Sequence, residues 1–216
     1  MKKTNKDFAA DNTFKVTEAR EVHIPGMALC HIKSFPRRFM TEMGHNWLCT
    51  LYRFFIKHRG SICRVAVDAD GKVIGLSIGG DPNIRDEFLS SALFRYPHLL
   101  FWKFLSKRIV RRVLLQELAG KLRRKRGAAH SGDTKAPSAA VRSGNLLSIC
   151  VLPDYKGTGV AGKLIESFQL ACAAEGYERL TLSVLRENNR AVAFYKKHGW
   201  RQSGISGESI RFVLDL

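Results

Sequence analysis

From Leu146 to Phe168 the chain reads LLSICVLPDYKGTGVAGKLIESF, and few folds accommodate such a stretch. Leu146 to Leu152 is almost unbroken apolar sequence, β-branched at Ile149 and Val151, as expected of a buried strand. Pro153 stops it, because proline cannot donate to a ladder. Gly157, Gly159 and Gly162, with Thr158 and Ala161 among them, let the backbone turn tightly and leave no bulky side chain in front of a ligand. Leu164, Ile165 and Phe168 then keep the spacing of an amphipathic helix. Strand, glycine-rich turn and helix start together form a phosphate cradle, since the first amides of a helix lack partners and carry the positive end of its dipole.

Two common phosphate loops are excluded. Gly162-Lys163 is followed by Leu164 rather than Ser or Thr, so this is no Walker loop. The three glycines meet the GxGxxG spacing, but no Asp or Glu follows the next strand at the ribose position. Val151-Leu152-Pro153 followed by Lys156-Gly157-Thr158-Gly159-Val160-Ala161 instead resembles the acyl-CoA loop of the GNAT (GCN-five-related N-acetyltransferase) superfamily. That pattern is Arg/Gln-x-x-Gly-x-Gly/Ala after a strand ending in Val-x-Pro, with Lys156 standing here for Arg or Gln. A second string, Asn188 to Trp200, resembles the family's later motif: Asn-x-x-Ala-x-x-x-Tyr ending on Tyr195, then Gly199-Trp200, where Gly-Phe is commoner. The resemblance is firm from Asn145 to Leu216, loose from Phe14 to Gly80, and absent between.

The resemblance implies an α/β acyl-CoA N-acyltransferase fold, a mixed central sheet flanked by helices. It implies acetyl-CoA as co-substrate, held by Lys156, Gly157, Thr158, Gly159, Val160, Ala161 and Gly162. Strand backbone at Cys150, Val151 and Leu152 would pair with the pantetheine arm, and Asn188 joins the same set. No protein nucleophile is required, since the acceptor amine attacks the thioester directly. Tyr195 matches the general acid that protonates the leaving thiolate, a role suited to a phenol of pKa about 10. Cys150 reads as a packed thiol. His31, His45, His98 and Glu42 lie in the expected acceptor region, yet the strand from Asn145 to Leu152 has no carboxylate. Loss of the amine proton through ordered water is favoured, and no base is named.

The chain of 216 residues is long enough to bury a core, and one domain is expected over residues 13–216 behind a polar tail, 1–12. Five scattered cysteines without CxxC or Cys/His ligand spacing argue for reduced thiols and no metal. No apolar core follows Met1, and no run approaches about 18 apolar residues, so a cytoplasmic protein is expected. A net charge of +17 attracts anions of every kind.

Phe14, Val16, Val22 and Ile24 fit a first strand from Phe14 to Ile24, although Thr17 to Arg20 breaks its pattern. Phe35, Phe39, Met43, Trp47, Leu51, Phe54 and Phe55 then recur at helical spacing, punctuated by Pro36 and Gly44. Asp68-Ala69-Asp70-Gly71 between Ile62–Val67 and Val73–Ile78 is a hairpin signal. Gly79-Gly80 allows a close backbone approach or a turn, and the turn is favoured. Leu180, Leu182 and Val184 alternate as a later strand. A closing hairpin is expected around Ser206-Gly207.

Residues 81–144 form an insertion beyond a minimal member of the family. From Leu99 to Leu115 apolar residues alternate at helical spacing with Lys103, Lys107, Arg108, Arg111 and Arg112. A basic run, 121–126, and a Gly/Ala/Ser-rich loop follow. A solvated core helix is the plainer reading; a contact with an anionic membrane surface, at the inner face of the membrane, is the sharper one. The helical Phe35 to Phe55 segment and the basic insertion loosely resemble family members of amino-sugar and surface-polysaccharide pathways. That resemblance implies first a small amine, an amino sugar linked to a nucleotide or lipid, with protein or antibiotic amines next. A non-catalytic basic binding module is the other class. Nucleic acid is not favoured as a partner, because a pure binder would need neither Tyr195 nor the glycine loop.

Overall fold

The computed structural model describes residues 14–95 and 141–216. In order these are β1 (Lys15–Glu18), a 3-10 turn (Glu21–His23), α1 (Ile24–Ser34), α2 (Phe39–Met43), α3 (His45–Lys57), β2 (Ser61–Val67), β3 (Val73–Gly80) and α4 (Ile84–Arg95). After the undescribed stretch come β4 (Ser143–Val151), a 3-10 turn (Pro153–Tyr155), α5 (Val160–Ala174), β5 (Arg179–Leu185), α6 (Asn189–Lys197), β6 (Arg201–Ser206) and β7 (Ser209–Asp215). The strands form one mixed sheet in the order β1-β2-β3-β4-β5-β7-β6. Among the described strands only β4 and β5 run parallel.

Two buried clusters share the sheet. The first joins α1 and α3 to β2, β3 and the end of β4 through Met27, Leu48, Tyr52, Val65, Ile74 and Leu76. The second joins α5 and α6 to β5 and β7 through Phe168, Leu180, Leu182, Tyr195, Trp200 and Phe212. Helix α5 contributes Val160 and Leu164 to one and Ile165 and Phe168 to the other, as expected of neighbouring positions on a broad apolar face. Ile149 of β4 packs against both.

The helices expected between Pro25 and Lys57 are present, with Gly44 at φ 96° separating α2 from α3. The hairpin at Asp68–Gly71 is present too: Asp68 Oδ1 accepts from Asp70 N at 3.1 Å and Lys72 N at 2.9 Å. The first strand is shorter than its sequence suggests and ends at Glu18. Ile24 begins a helix instead, because Pro25 in the first turn has its φ set for the helix and no N–H to lose there. Val22, expected in that strand, lies in the 3-10 turn and is 79% exposed.

Gly79-Gly80 is not a turn. Both residues lie in β3, and the backbone crowds them: a Cβ on Gly79 would stand 2.1 Å from Asn145 O, and one on Gly80, at φ 127°, 2.0 Å from Gly60 O. Strand β4 begins at Ser143, earlier than the apolar run, so the insertion yields its last residues to the sheet. At its other end, residues 84–95 form α4, whose Phe88 packs on Trp47 with ring centroids 5.6 Å apart. The basic helix expected around Leu99 to Leu115 and the loop behind it lie outside the described residues, as does the polar tail. No helix among the described residues is long and apolar enough to cross a membrane.

His31 is buried between α1 and α3, with Nδ1 2.7 Å from the Tyr52 hydroxyl. Burial pushes its pKa down from 6.5 to about 4. Between those values the unfolded chain binds the extra proton, so His31's contribution to stability is complete above pH 6.5 and is lost as pH falls toward 4. We expect roughly 3 kcal/mol of stability to disappear across that window. Denaturant midpoints measured against pH should show it, and His31→Gln should flatten that part of the curve.

Candidate functional site

The site is built where β4 and β5 separate. They pair only at Ser143↔Arg179, Gly144↔Leu180 and Asn145↔Thr181, although β4 continues to Val151 and β5 to Leu185. A register irregularity opposite Ile78/Gly79, which leaves Leu147 without a partner in β3, bends β4 at the point of departure. Beyond it β4 stays paired to β3, and Leu152 N donates to Ile74 O at 2.8 Å. Polar groups alternate along a strand, so those of Ile149 and Val151 face the edge that β5 has left. That edge is one wall of an open notch. Of the three strand residues expected to meet an extended ligand, Val151 turns its backbone there, whereas Cys150 and Leu152 turn theirs toward β3.

The notch leads to the glycine loop. Gly157 and Gly159 have φ near +90°, at 91° and 90°, a conformation that side chains resist. Among the described residues nothing lies within 4 Å of a Cβ built on either, so no described side chain fills the space before the loop. Gly159 caps α5, and the amides of Val160, Ala161 and Gly162 meet no acceptor among the described residues. Gly162 sits inside the first helical turn rather than in the loop, with the His198 ring 3.4 Å from where a Cβ would be. Lys156 is exposed at the loop's start.

The base of the loop is tied from outside, which the sequence did not reveal. Tyr155 donates its hydroxyl to Asp68 Oδ2 at 3.2 Å, and Lys72 Nζ stands 5.9 Å from the centre of its ring. Thr158 Oγ1 donates to Tyr155 O at 2.8 Å, passing the anchorage on to the residue before Gly159. Asp68 thus both closes the β2–β3 hairpin and fixes the loop. Its place in a DADG turn announces the first role and hides the second.

Asn188 caps α6 by accepting from Ala191 N at 3.2 Å. The helix carries Tyr195 into the second cluster, among Phe194, Trp200 and Phe212 at centroid distances of 5.4, 5.9 and 6.0 Å. That cluster also holds Leu182 and Val184 of β5 and touches Ile149 of β4, residues of the two parting strands. Desolvation raises the Tyr195 pKa from 10 to about 12, so the phenol keeps its proton at neutral pH. Its hydroxyl makes no hydrogen bond among the described residues and remains available as a donor.

Cys150 is buried with its sulfur 4.0 Å from that of Cys30. The Cys30 thiol and burial hold Cys150 well above the ordinary thiol range, so it is a packed thiol and not a nucleophile. His31 is a core histidine hydrogen-bonded to Tyr52. His45 contacts Cys49 Sγ at 3.7 Å within α3, and His98 lies outside the described residues. Among the described residues no group of three or more His, Cys, Asp or Glu could hold a metal ion.

A family model described as the acetyltransferase (GNAT) domain matches residues 112–202, a span that takes in β4, the glycine loop, α5 and Tyr195. Over that span, less than half of its length, the chain resembles a GNAT acetyltransferase domain. It is 38% identical over 58 residues to YjcF, an uncharacterised N-acetyltransferase of Bacillus subtilis (strain 168). That stretch covers 27% of this chain and 39% of YjcF, so the chain spans about two-fifths of the curated relative it matches. Among solved structures, the ribosomal-protein-S18-alanine N-acetyltransferase of Escherichia coli superposes with a TM-score of 0.55, at 12% identity over 94% of each chain. The PaiA N-acetyltransferase of Thermoplasma acidophilum, in complex with coenzyme A, gives 0.54 at 10% identity, over 94% of this chain and 99% of that one. At such identities these structures speak for the fold.

The cradle has a direct test. Gly159→Glu forces a side chain into a left-handed conformation and sets a carboxylate before the α5 amides. We expect CoA affinity measured by calorimetry to fall by at least about tenfold, with the circular dichroism of the fold retained. Unchanged affinity in a folded variant would rule the cradle out.

Proposed function

We propose that this chain is an acetyl-CoA-dependent N-acetyltransferase. The observation that carries the proposal is the notch between β4 and β5, open along one strand edge and ending at unpartnered helix amides. An extended, amide-bearing arm suits the strand edge, and a pyrophosphate suits the amides. Lys156, Gly157, Thr158, Gly159, Val160, Ala161 and Gly162 would hold the pyrophosphate, while Val151 would meet the arm. Bound there, acetyl-CoA supplies an activated acetyl group. The acceptor nitrogen attacks the thioester carbonyl carbon, the carbon–sulfur bond breaks, and the departing sulfur takes the proton held by Tyr195. Ordered water removes the proton left on nitrogen.

The acceptor we favour is an amine that also carries phosphate, a nucleotide- or lipid-linked amino sugar. Lys33, Arg37 and Arg38 are all exposed at the end of α1 and in the turn after it, and Ser34 of the same helix end touches β4. Three exposed cations at that end of α1 favour an anionic acceptor over a neutral one. Release of the CoA thiol with a panel of amines tests this. A nucleotide-linked amino sugar should turn over faster than the free sugar. Arg37→Glu with Arg38→Glu should raise the acceptor KM and leave that of acetyl-CoA in place.

Tyr195→Phe keeps the ring and removes the proton. Turnover should fall by about 100- to 10,000-fold with acetyl-CoA affinity close to wild type. Because Tyr195 ionises only near pH 12, wild-type kcat should show no loss from this group through the ordinary phenol value of about 10. A Phe variant with undiminished turnover would remove Tyr195 from the mechanism.

A further inference from the structure

The end of α1 meets the notch at one atom. Ser34, the last residue of α1 and only half-buried, donates its hydroxyl to Val151 O at 3.1 Å. Val151 O faces the edge that β5 has left, since Leu152 N, the next amide, is committed to Ile74 O. One turn earlier, Cys30 Sγ stands 4.0 Å from Ser34 Oγ and 4.0 Å from Cys150 Sγ. The hydroxyl is therefore braced from behind by two buried thiols and aimed at a carbonyl that no strand covers.

We infer that Ser34 is a positioning residue for the thioester-bearing arm of the co-substrate. The inference rests on the acetyl-CoA reading and names a side chain that neither the glycine loop nor the Tyr195 motif contains. A backbone carbonyl has two lone pairs. Ser34 occupies one, which fixes the direction of the Val151 carbonyl and leaves the other for an amide N–H of an arm lying along β4. With the hydroxyl gone, the carbonyl loses this hydrogen bond from α1, while Cys30 still packs the helix against Cys150 of the strand. The pyrophosphate end of the ligand, held at the loop and the α5 amides, does not depend on this contact.

That asymmetry supplies the test. Acetyl-CoA contains the arm, whereas adenosine 3′,5′-bisphosphate contains only the nucleotide end of the ligand. In Ser34→Ala, calorimetry should show acetyl-CoA binding weakened about three- to tenfold, the loss of one hydrogen bond, with adenosine bisphosphate binding unchanged. Ser34→Thr, which keeps a hydroxyl, should restore acetyl-CoA affinity. Should Ser34→Ala fail to fold, Ser34→Cys, of similar size and a poor donor, takes its place. Equal weakening of both ligands would make Ser34 merely structural and overturn the inference, as would no change in either. Gly159→Glu separates the two levels of the argument. If it leaves both ligands bound as in wild type, the acetyl-CoA site itself is misassigned. If it abolishes binding while Ser34→Ala has no effect, only the role of Ser34 falls.

Discussion

The parting of two parallel strands is the constraint on which the rest of this protein depends. A parallel ladder that stops after Asn145 leaves strand edge exposed inside the protein, and exposed edge demands a partner. Helix α1 supplies one through Ser34. The remaining edge has no strand partner among the described residues, an edge that an extended ligand could pair with as a short strand does. The glycine loop has meaning only at the end of this notch. Elsewhere, amides at the start of α5 would be an ordinary helix terminus; here they stand at the end of an open groove.

Burial does most of the chemical tuning. Tyr195, Cys150 and His31 are each moved toward the neutral form, by desolvation throughout and, at Cys150, first by the neighbouring thiol. For Tyr195 neutrality means a phenol that keeps its proton, whereas for Cys150 it means a thiol rather than a thiolate. For His31 it means a ring that serves packing instead of proton transfer.

Much of this was legible in the sequence because it lies in local pattern. The apolar run to Leu152, the stop at Pro153, the glycines and the Asn188-to-Trp200 string each report on neighbours a few residues away. The errors fall where the deciding partner is distant. Val22 and Ile24 look like strand residues until Pro25 and the core of α3 claim the segment for a helix. Gly79 and Gly80 look like a turn because nothing nearby shows that Asn145 and Gly60 press against them. Asp68 and Ser34 act on Tyr155 and Val151, residues far along the chain, and no spacing rule could have joined them.

The two buried clusters are joined across the middle of the sheet by a ladder of three residue pairs, by Ile149, and by α5 running past both. Ile62 of β2 and Leu146 of β4 belong to the second cluster as well, so the boundary between the two follows the clusters rather than the strand order. Such a seam is a natural boundary between cooperative units. A molecule that fills the notch touches both sides, so it would also act as a splint. Occupancy then couples the opening of one half to that of the other, and amide exchange at the ends of β4 and β5 would slow in concert rather than strand by strand.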